Sequence, residues 1–256
     1  NLIASMTIWA SVFPLHEDDE YVSYMSPAWI TEQFFGITGC LMFALRVNFL
    51  EAPETVQENI REIGPRFLMY GSRLWESVIA TIQARLADSS PVNRFFYGLA
   101  LPVGYKYSSY CYEKKEPPFF WRVTNGLTDW LIFRPLRDKV GLQKTKHAIT
   151  AGSTLSPDAF QYLRAVGVNL KQIFGITEVG NVSMHRDNDI RFESVGQICP
   201  QVEVKFTDAG ELMVKSGGVA VGYYKNPEAT QKAFRDGWFY SGDAGYLDKD
   251  GHFIYW

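Results

Sequence analysis

Residues 237–251, GWFYSGDAGYLDKDG, place a lone carboxylate among small residues. Asp243 stands between Gly242 and Gly245, just after Trp238, Phe239 and Tyr240. Small neighbours let a ligand come close to the backbone. A carboxylate held there can accept two hydrogen bonds from a diol, such as the 2′ and 3′ hydroxyls of a ribose. The plain alternative is a hairpin corner, since Asp250-Gly251 nearby is a turn signal. Two further segments fall where a ligand is expected. Gly152-Ser153-Thr154 follows a strand-like run over residues 147–151. Phe174-Gly175-Ile176-Thr177-Glu178 closes another that begins at Asn169. Both lie just beyond the carboxyl ends of strands that read as parallel, which is where open α/β sheets bind ligands.

The elements that must position these residues are legible in the hydrophobic pattern. Residues 21–25 read as a strand. Ser26-Pro27 then opens a helix with Ile30, Phe34, Ile37 and Leu41 on one buried face. A strand over 46–50 precedes a helix over 53–63, with Val56, Ile60 and Ile63 inward and Gly64-Pro65 as its stop. A strand over 66–70 and a helix over 74–86 follow. Strand–helix alternation at these lengths predicts parallel pairing with helical crossovers. Residues 89–146, rich in Phe, Tyr and Trp, predict helices around a polar turn. Residues 95–107 and 130–136 are expected to be buried. Peripheral contact with a membrane is the alternative, but basic residues are not concentrated on one face. Ser156 caps a helix that carries Pro157 and Asp158 in its first turn and ends at Gly167. From residue 191 the period becomes two, with a hairpin turning at Asp208-Ala209-Gly210 and a short helix over 227–234. The reading is an α/β portion over residues 1–190 and a β-rich, antiparallel portion over 191–256.

Composition bounds the function. The 256 residues are 46% hydrophobic with a net charge of −3, a balance that gives no reason to expect nucleic acid as a partner. Cys40, Cys111 and Cys199 are odd in number and scattered, without a CxxC pair. That argues against a disulfide framework or zinc site and fits a reducing, cytoplasmic location. The four histidines form no metal-ligand pair at helical or strand spacing. The longest apolar run, residues 34–45, falls short of the ~20 residues of a membrane-spanning helix. No signal-peptide pattern follows Asn1, and both ends read as cuts inside a longer protein.

Taken together, three motifs resemble those of the acyl-adenylate-forming enzymes. They are FGITE at 174–178, GEL at 210–212 continuing to GYYKNPEAT at 222–230, and GWFYSGD at 237–243. The family patterns are YGxTE, GE…GYxxxPxxT and GWxxTGD, in the same order and at similar spacing. Residues 21–29 and 65–75, with the long aromatic segment before 151–156, resemble the long-chain fatty acyl-CoA synthetase branch. The resemblance covers essentially the whole chain. It implies ATP-dependent activation of a fatty acid to acyl-AMP, then transfer to coenzyme A, with Mg²⁺ on the phosphates. A fatty acyl-AMP ligase, another acid-adenylating enzyme or a non-catalytic lipid-binding relative are the alternatives, and an oligomer is left open.

The same resemblance implies roles for individual residues. Glu178 would bind Mg²⁺, its structural alternative being a carboxylate in a first helical turn. Thr177 would donate to the α-phosphate or the acyl carboxylate, or cap that helix. Phe174, where the family more often has Tyr, would stack on adenine, and the adjacent Gly175 would also contact the nucleotide. Gly152, Ser153 and Thr154 would form the turn beside adenine, with one Gly where the family often has two. Asp243 would hold the ribose. Trp29 replaces a family His that lines the acyl site. A Ser/Thr/Gly-rich phosphate loop is expected before Asn1. A hinge and a small domain bearing the adenylation Lys are expected after Trp256. This chain alone is accordingly expected to be a poor catalyst.

Overall fold

The computed structural model describes every residue except Asp18, Thr154, Asn188 and Trp256. Helix α1 (Leu2–Val12) buries Met6, Ile8 and Trp9. Strands β1 (Glu20–Ser23) and β2 (Arg46–Phe49) form a two-stranded parallel sheet in register from Glu20–Arg46 to Ser23–Phe49. Their crossover is a helix in three stretches: α2 (Ile30–Glu32), a π-helical segment Gln33–Gly39, and α3 (Cys40–Phe43). This geometry corrects the expected inward stripe. An i→i+5 turn holds more residues than 3.6, so the face rotates away. Ile37 and Leu41 are 53% and 81% exposed, whereas Phe34, Phe35, Thr38 and Gly39 are buried. Nor does the helix begin at Pro27: residues 26–29 form turns, and Trp29 occupies the cap position.

Helix α4 (Val56–Ile63), entered through a 3₁₀ turn at Pro53–Thr55, ends at Gly64 with φ 64°. Strand β3 (Phe67–Tyr70) and helix α5 (Ser72–Ala87) follow. Then come α6 (Pro91–Tyr112), α7 (Phe119–Thr128), a π-helical segment Asp129–Phe133 and α8 (Arg134–Lys139). Strand β4 (His147–Thr150) leads to α9 (Pro157–Ala165), where Ser156 Oγ accepts from the Ala159 amide at 3.3 Å, the expected cap. Strands β5 (Leu170–Ile176), β6 (Gly180–Met184) and β7 (Gln197–Ile198) complete a five-stranded sheet in the order β3-β4-β5-β6-β7. Its first three strands are parallel and the last two pairings antiparallel. The strand–helix alternation therefore divides between two sheets rather than forming one parallel series.

β3 is buried along its whole length, as a parallel strand covered on both faces should be. Phe67 and Met69 join one apolar cluster with Trp9, Phe35 and Ile173, while Leu68 and Tyr70 join another with Trp75, Ile82 and Phe160. The β-rich portion contains β8 (Glu203–Phe206), β9 (Glu211–Lys215), α10 (Pro227–Ala233), β10 (Phe234–Arg235), β11 (Trp238–Leu247) and β12 (Phe253–Tyr255). They pair antiparallel in the order β10-β11-β9-β8, with β12 on β11. Leu212, Val214, Phe239 and Phe253 share the first cluster, so the second sheet packs onto the first through a common core.

The aromatic helices depart most from expectation. α6 buries only the small stripe Ala100, Gly104 and Ser108, and α7 buries nothing. Phe95, Phe96, Leu99, Trp130 and Leu131 are exposed, although residues 95–107 and 130–136 read as core. Small residues bring α6 close to α9, which leaves the large side chains on its far side.

Candidate nucleotide site at the strand ends

The carboxyl ends of β3, β4 and β5 point to one edge of the sheet. Thr150 faces Gln172 at the last β4–β5 ladder pair. Just beyond lie Gly152, exposed at φ 80°, and Ser153. Ser153 Oγ and Ser72 Oγ are 2.7 Å apart, which joins this turn to the start of α5. Thr154, the third residue expected there, is outside the described residues. Beneath the turn, Thr150 Oγ1 and Gln172 Oε1 are buried without a hydrogen-bond partner among the described residues.

On β5, the Phe174 ring is partly buried, 5.1 Å from the Phe253 ring and 5.2 Å from that of Tyr255. Gly175 sits at a register shift, where an added Cβ would lie 2.7 Å from the Gly180 carbonyl oxygen. Only a glycine lets β5 and β6 close so tightly here. Thr177 and Glu178 then occupy the turn of this antiparallel hairpin. That corrects both helical alternatives: Thr177 caps no helix, and Glu178 is in no first turn. Thr177 is exposed and Glu178 half-buried.

The Glu178 carboxylate is held from the second sheet. The Tyr223 hydroxyl donates to its Oε1 at 2.7 Å, and the Ala220 amide donates to the Glu178 carbonyl at 2.7 Å. That hydrogen bond to Glu178, with burial and the charge of Glu178, pushes the Tyr223 phenol up to about 12. The motif at 222–230 explains how Tyr223 is placed. Thr230 Oγ1 donates to the Asn226 carbonyl at 2.8 Å and accepts from the Tyr223 amide at 2.9 Å. Gly222, at φ 142°, makes room for Thr230, whose Cγ2 would be 2.6 Å from a Cβ at position 222. Asn226 caps α10 through the Ala229 amide. The spacing of Gly, Tyr, Pro and Thr is thus a device that fixes Tyr223 against Glu178. Sequence reasoning noted the motif but assigned Tyr223 no role; the Tyr beside its Gly was the available signal.

Asp243 is in the middle of β11, not at a corner; the corner is residues 248–251. It sits at a bulge, since the β11–β9 register shifts between Tyr240 and Ala244. Such an extra residue re-aims a side chain out of the ladder. Gly242, at φ 77°, forms the bulge and donates its amide to Glu211 Oε1 at 3.0 Å. Ser241 Oγ donates to the Leu212 carbonyl at 2.8 Å and accepts from the Asp243 amide at 3.1 Å. The Glu of the GEL motif therefore supports the bulge that presents Asp243. No described residue donates to the Asp243 carboxylate. Burial, and then the charge of Glu178, push its carboxyl above the usual carboxylate range. Asp243 lies on β11 and Glu178 in the β5–β6 turn, and the charge of Glu178 reaches the Asp243 carboxyl. Such a pair suits a ligand that brings cations or hydroxyl donors between them.

Among the described residues no group of three or more His, Cys, Asp and Glu could hold a metal ion. A lone half-buried carboxylate with one oxygen engaged fits Mg²⁺, which keeps waters and substrate phosphates as its other ligands.

The sequence profile described as AMP-binding enzyme matches residues 1–224. Long-chain-fatty-acid–CoA ligase FadD15 of Mycobacterium tuberculosis is 30% identical over 188 residues, 73% of this chain and 31% of its own length. Long chain acyl-CoA synthetase 1 of Arabidopsis thaliana is 27% identical over 259 residues, 91% of this chain and 37% of its own. The chain thus spans about a third of the length of these two curated relatives. The N-terminal domain of FACL13 from Mycobacterium tuberculosis has the same fold, with a TM-score of 0.66 at 17% identity over 100% of this chain and 55% of that one. So does O-succinylbenzoate coenzyme A synthetase from Bacillus subtilis, solved with AMP, with a TM-score of 0.66 at 15% identity over 98% and 43%.

Proposed function

The chain belongs to the AMP-binding enzyme family, and from that premise we propose that it carries nucleotide and acyl contacts of a long-chain fatty acid–CoA ligase. The reaction joins a fatty carboxylate to the α-phosphate of ATP, releases pyrophosphate, and passes the acyl group to coenzyme A. The relatives' names support the choice of acid and acceptor. The observation that carries the reading is that motif residues of the β-rich portion brace both carboxylates, Tyr223 holding Glu178 and Glu211 holding the bulge of Asp243, with Glu178 near enough for its charge to raise the Asp243 carboxyl.

In this reading residues 1–190 and 191–256 divide the work. Asp243, with both oxygens open, accepts from the ribose hydroxyls. Phe174 offers its ring face to adenine, and the 152–154 turn lies alongside it. Thr177 donates to the α-phosphate or the acyl carboxylate. Glu178 holds Mg²⁺, which neutralises phosphate charge when bound, and Tyr223 positions that carboxylate. Adenylation needs alignment and charge stabilisation more than a protein base, and these groups supply both.

The test is calorimetric titration with a non-hydrolysable acyl-AMP mimic. In Asp243→Asn one acceptor oxygen is replaced by a donor and the other loses its charge, so affinity should fall about 10- to 100-fold. Equal affinity for both proteins would remove Asp243 from the ribose. Acid-dependent ATP–pyrophosphate exchange in a full-length protein carrying this chain then reads the acid: palmitate should far exceed acetate or an aryl acid.

A further inference from the structure

Helix α7 faces the wrong way for a protein surrounded only by water. Asn125 of α7 and Asp129, where the π-helical segment begins, line a cavity of about 300 Å³ shared with Gly104, Arg137 and Arg164. Arg137 there donates two hydrogen bonds to Asp129, at 2.6 and 3.1 Å. The apolar residues of α7 point outward. Phe119, Val123 and Leu127, with Trp130 of the π-helical segment that follows, are spaced three and four apart and make one stripe. Phe119 is 81% exposed and Trp130 63%. On α6, which packs against α7, Val92, Phe95 and Leu99 are exposed too. Exposed apolar side chains gathered on two packed helices mark an interaction site.

Charge selects the occupant. α6 and α7 contain no acidic residue, and their charged residues are Arg94, Lys106 and Arg122, all exposed. The chain as a whole is at −3, so this face is locally positive on a net-negative protein. A second copy docked by two-fold symmetry would set these cations against their own images. An anionic lipid surface would accept them, because Arg and Lys reach outward from an apolar bed while their heads stay with phosphate. Phe and Trp are side chains suited to the acyl–headgroup boundary. Among the described residues no helix is long and apolar enough to cross a membrane. We propose that the outward face of α6 and α7 docks flat on an anionic bilayer. The proposal does not depend on the reading of the nucleotide site.

The experiment is co-sedimentation of the chain with vesicles of phosphatidylcholine alone and of phosphatidylcholine mixed with phosphatidylserine. The mixed vesicles should bind it more tightly. The double variant Phe119→Glu, Leu127→Glu should lose that binding; both side chains are exposed, so the fold should survive, as circular dichroism would verify. Separately, Lys106→Gln with Arg122→Gln should weaken binding to mixed vesicles about fivefold per cation removed while leaving the apolar stripe intact. Failure to bind either vesicle, or binding that neither variant reduces, would overturn the proposal. So would lipid-free self-association, seen by analytical ultracentrifugation, that the Glu pair abolishes, since a second copy would then cover the face.

Discussion

At the scale of residues, burial and the charge of Glu178 act on the Asp243 carboxyl of the candidate site, and that has a pH signature. Burial comes first and the charge of Glu178 second in raising the Asp243 carboxyl. Only the ionised form accepts from two hydroxyls. Affinity for AMP in metal-free buffer should therefore be full at neutral pH. It should fall on acidification from a higher pH than the ~3.9 of an ordinary Asp would give. Removing the neighbouring charge with Glu178→Gln should move that fall to lower pH, and Asp243→Asn should flatten it. Titrations of AMP across pH test this, and coincident profiles for the native protein and Glu178→Gln would defeat it. The identity of these residues was readable from motif order. What each motif residue does for its neighbour was not, because Tyr223–Glu178 and Gly242–Glu211 are contacts between remote segments.

At the scale of elements, the approach of α6 to α9 explains why so many large side chains end up outside. A Cβ at Gly104 would lie 2.1 Å from the Ala165 carbonyl oxygen, so the helices touch at backbone distance. Gly98, in the same helix, has no atom within 4 Å of the corresponding point. Gly104→Ala should force the helices apart and destabilise by about 1–3 kcal/mol. Gly98→Ala should stabilise by about 0.5–1 kcal/mol, as Ala does for Gly in a helix interior. Urea midpoints measure both, and equal shifts would refute the close packing. That residues 89–146 form helices around a turn was legible. Direction was not, since a 3.6-residue period reports that one face is apolar and says nothing of what lies opposite it.

At the scale of the whole molecule, the two sheets are tied by a buried polar chain. Ser194 Oγ lies 3.1 Å from His185 Nε2 and 2.9 Å from His252 Nδ1, and His252 Nε2 lies 2.9 Å from Asp189 Oδ1. Burial, and then the neighbouring His252, depress His185 to about 3. An unfolded chain binds that proton near pH 6.5. The folded protein does not, so stability is fully present above about 6.5 and is lost as pH falls from there towards 3. By pH 5 the loss is about 2 kcal/mol from this group alone. Melting temperature against pH should show it, with a shallower slope in His185→Asn; an unchanged slope would assign the loss to other groups. The core shared by Ile173, Met184, Leu212 and Phe253 predicts one cooperative transition in the same scans.

The sequence by itself determined what nearest neighbours decide. It located the Ser156 cap, the Gly64 and Gly167 stops, the Asp208–Gly210 turn and the β4 and β5 strand ends beside which the candidate site residues lie. Motif order alone pointed to the family. Tertiary structure decided what depends on distant partners: the π turns that rotate Ile37 and Leu41 outward, the hairpin that holds Thr177 and Glu178, and the bulge in β11 that carries Asp243. It also decided that the apolar stripe of α7 faces out. Local sequence sets a backbone preference and a periodicity, whereas burial depends on which surfaces the rest of the chain brings into contact.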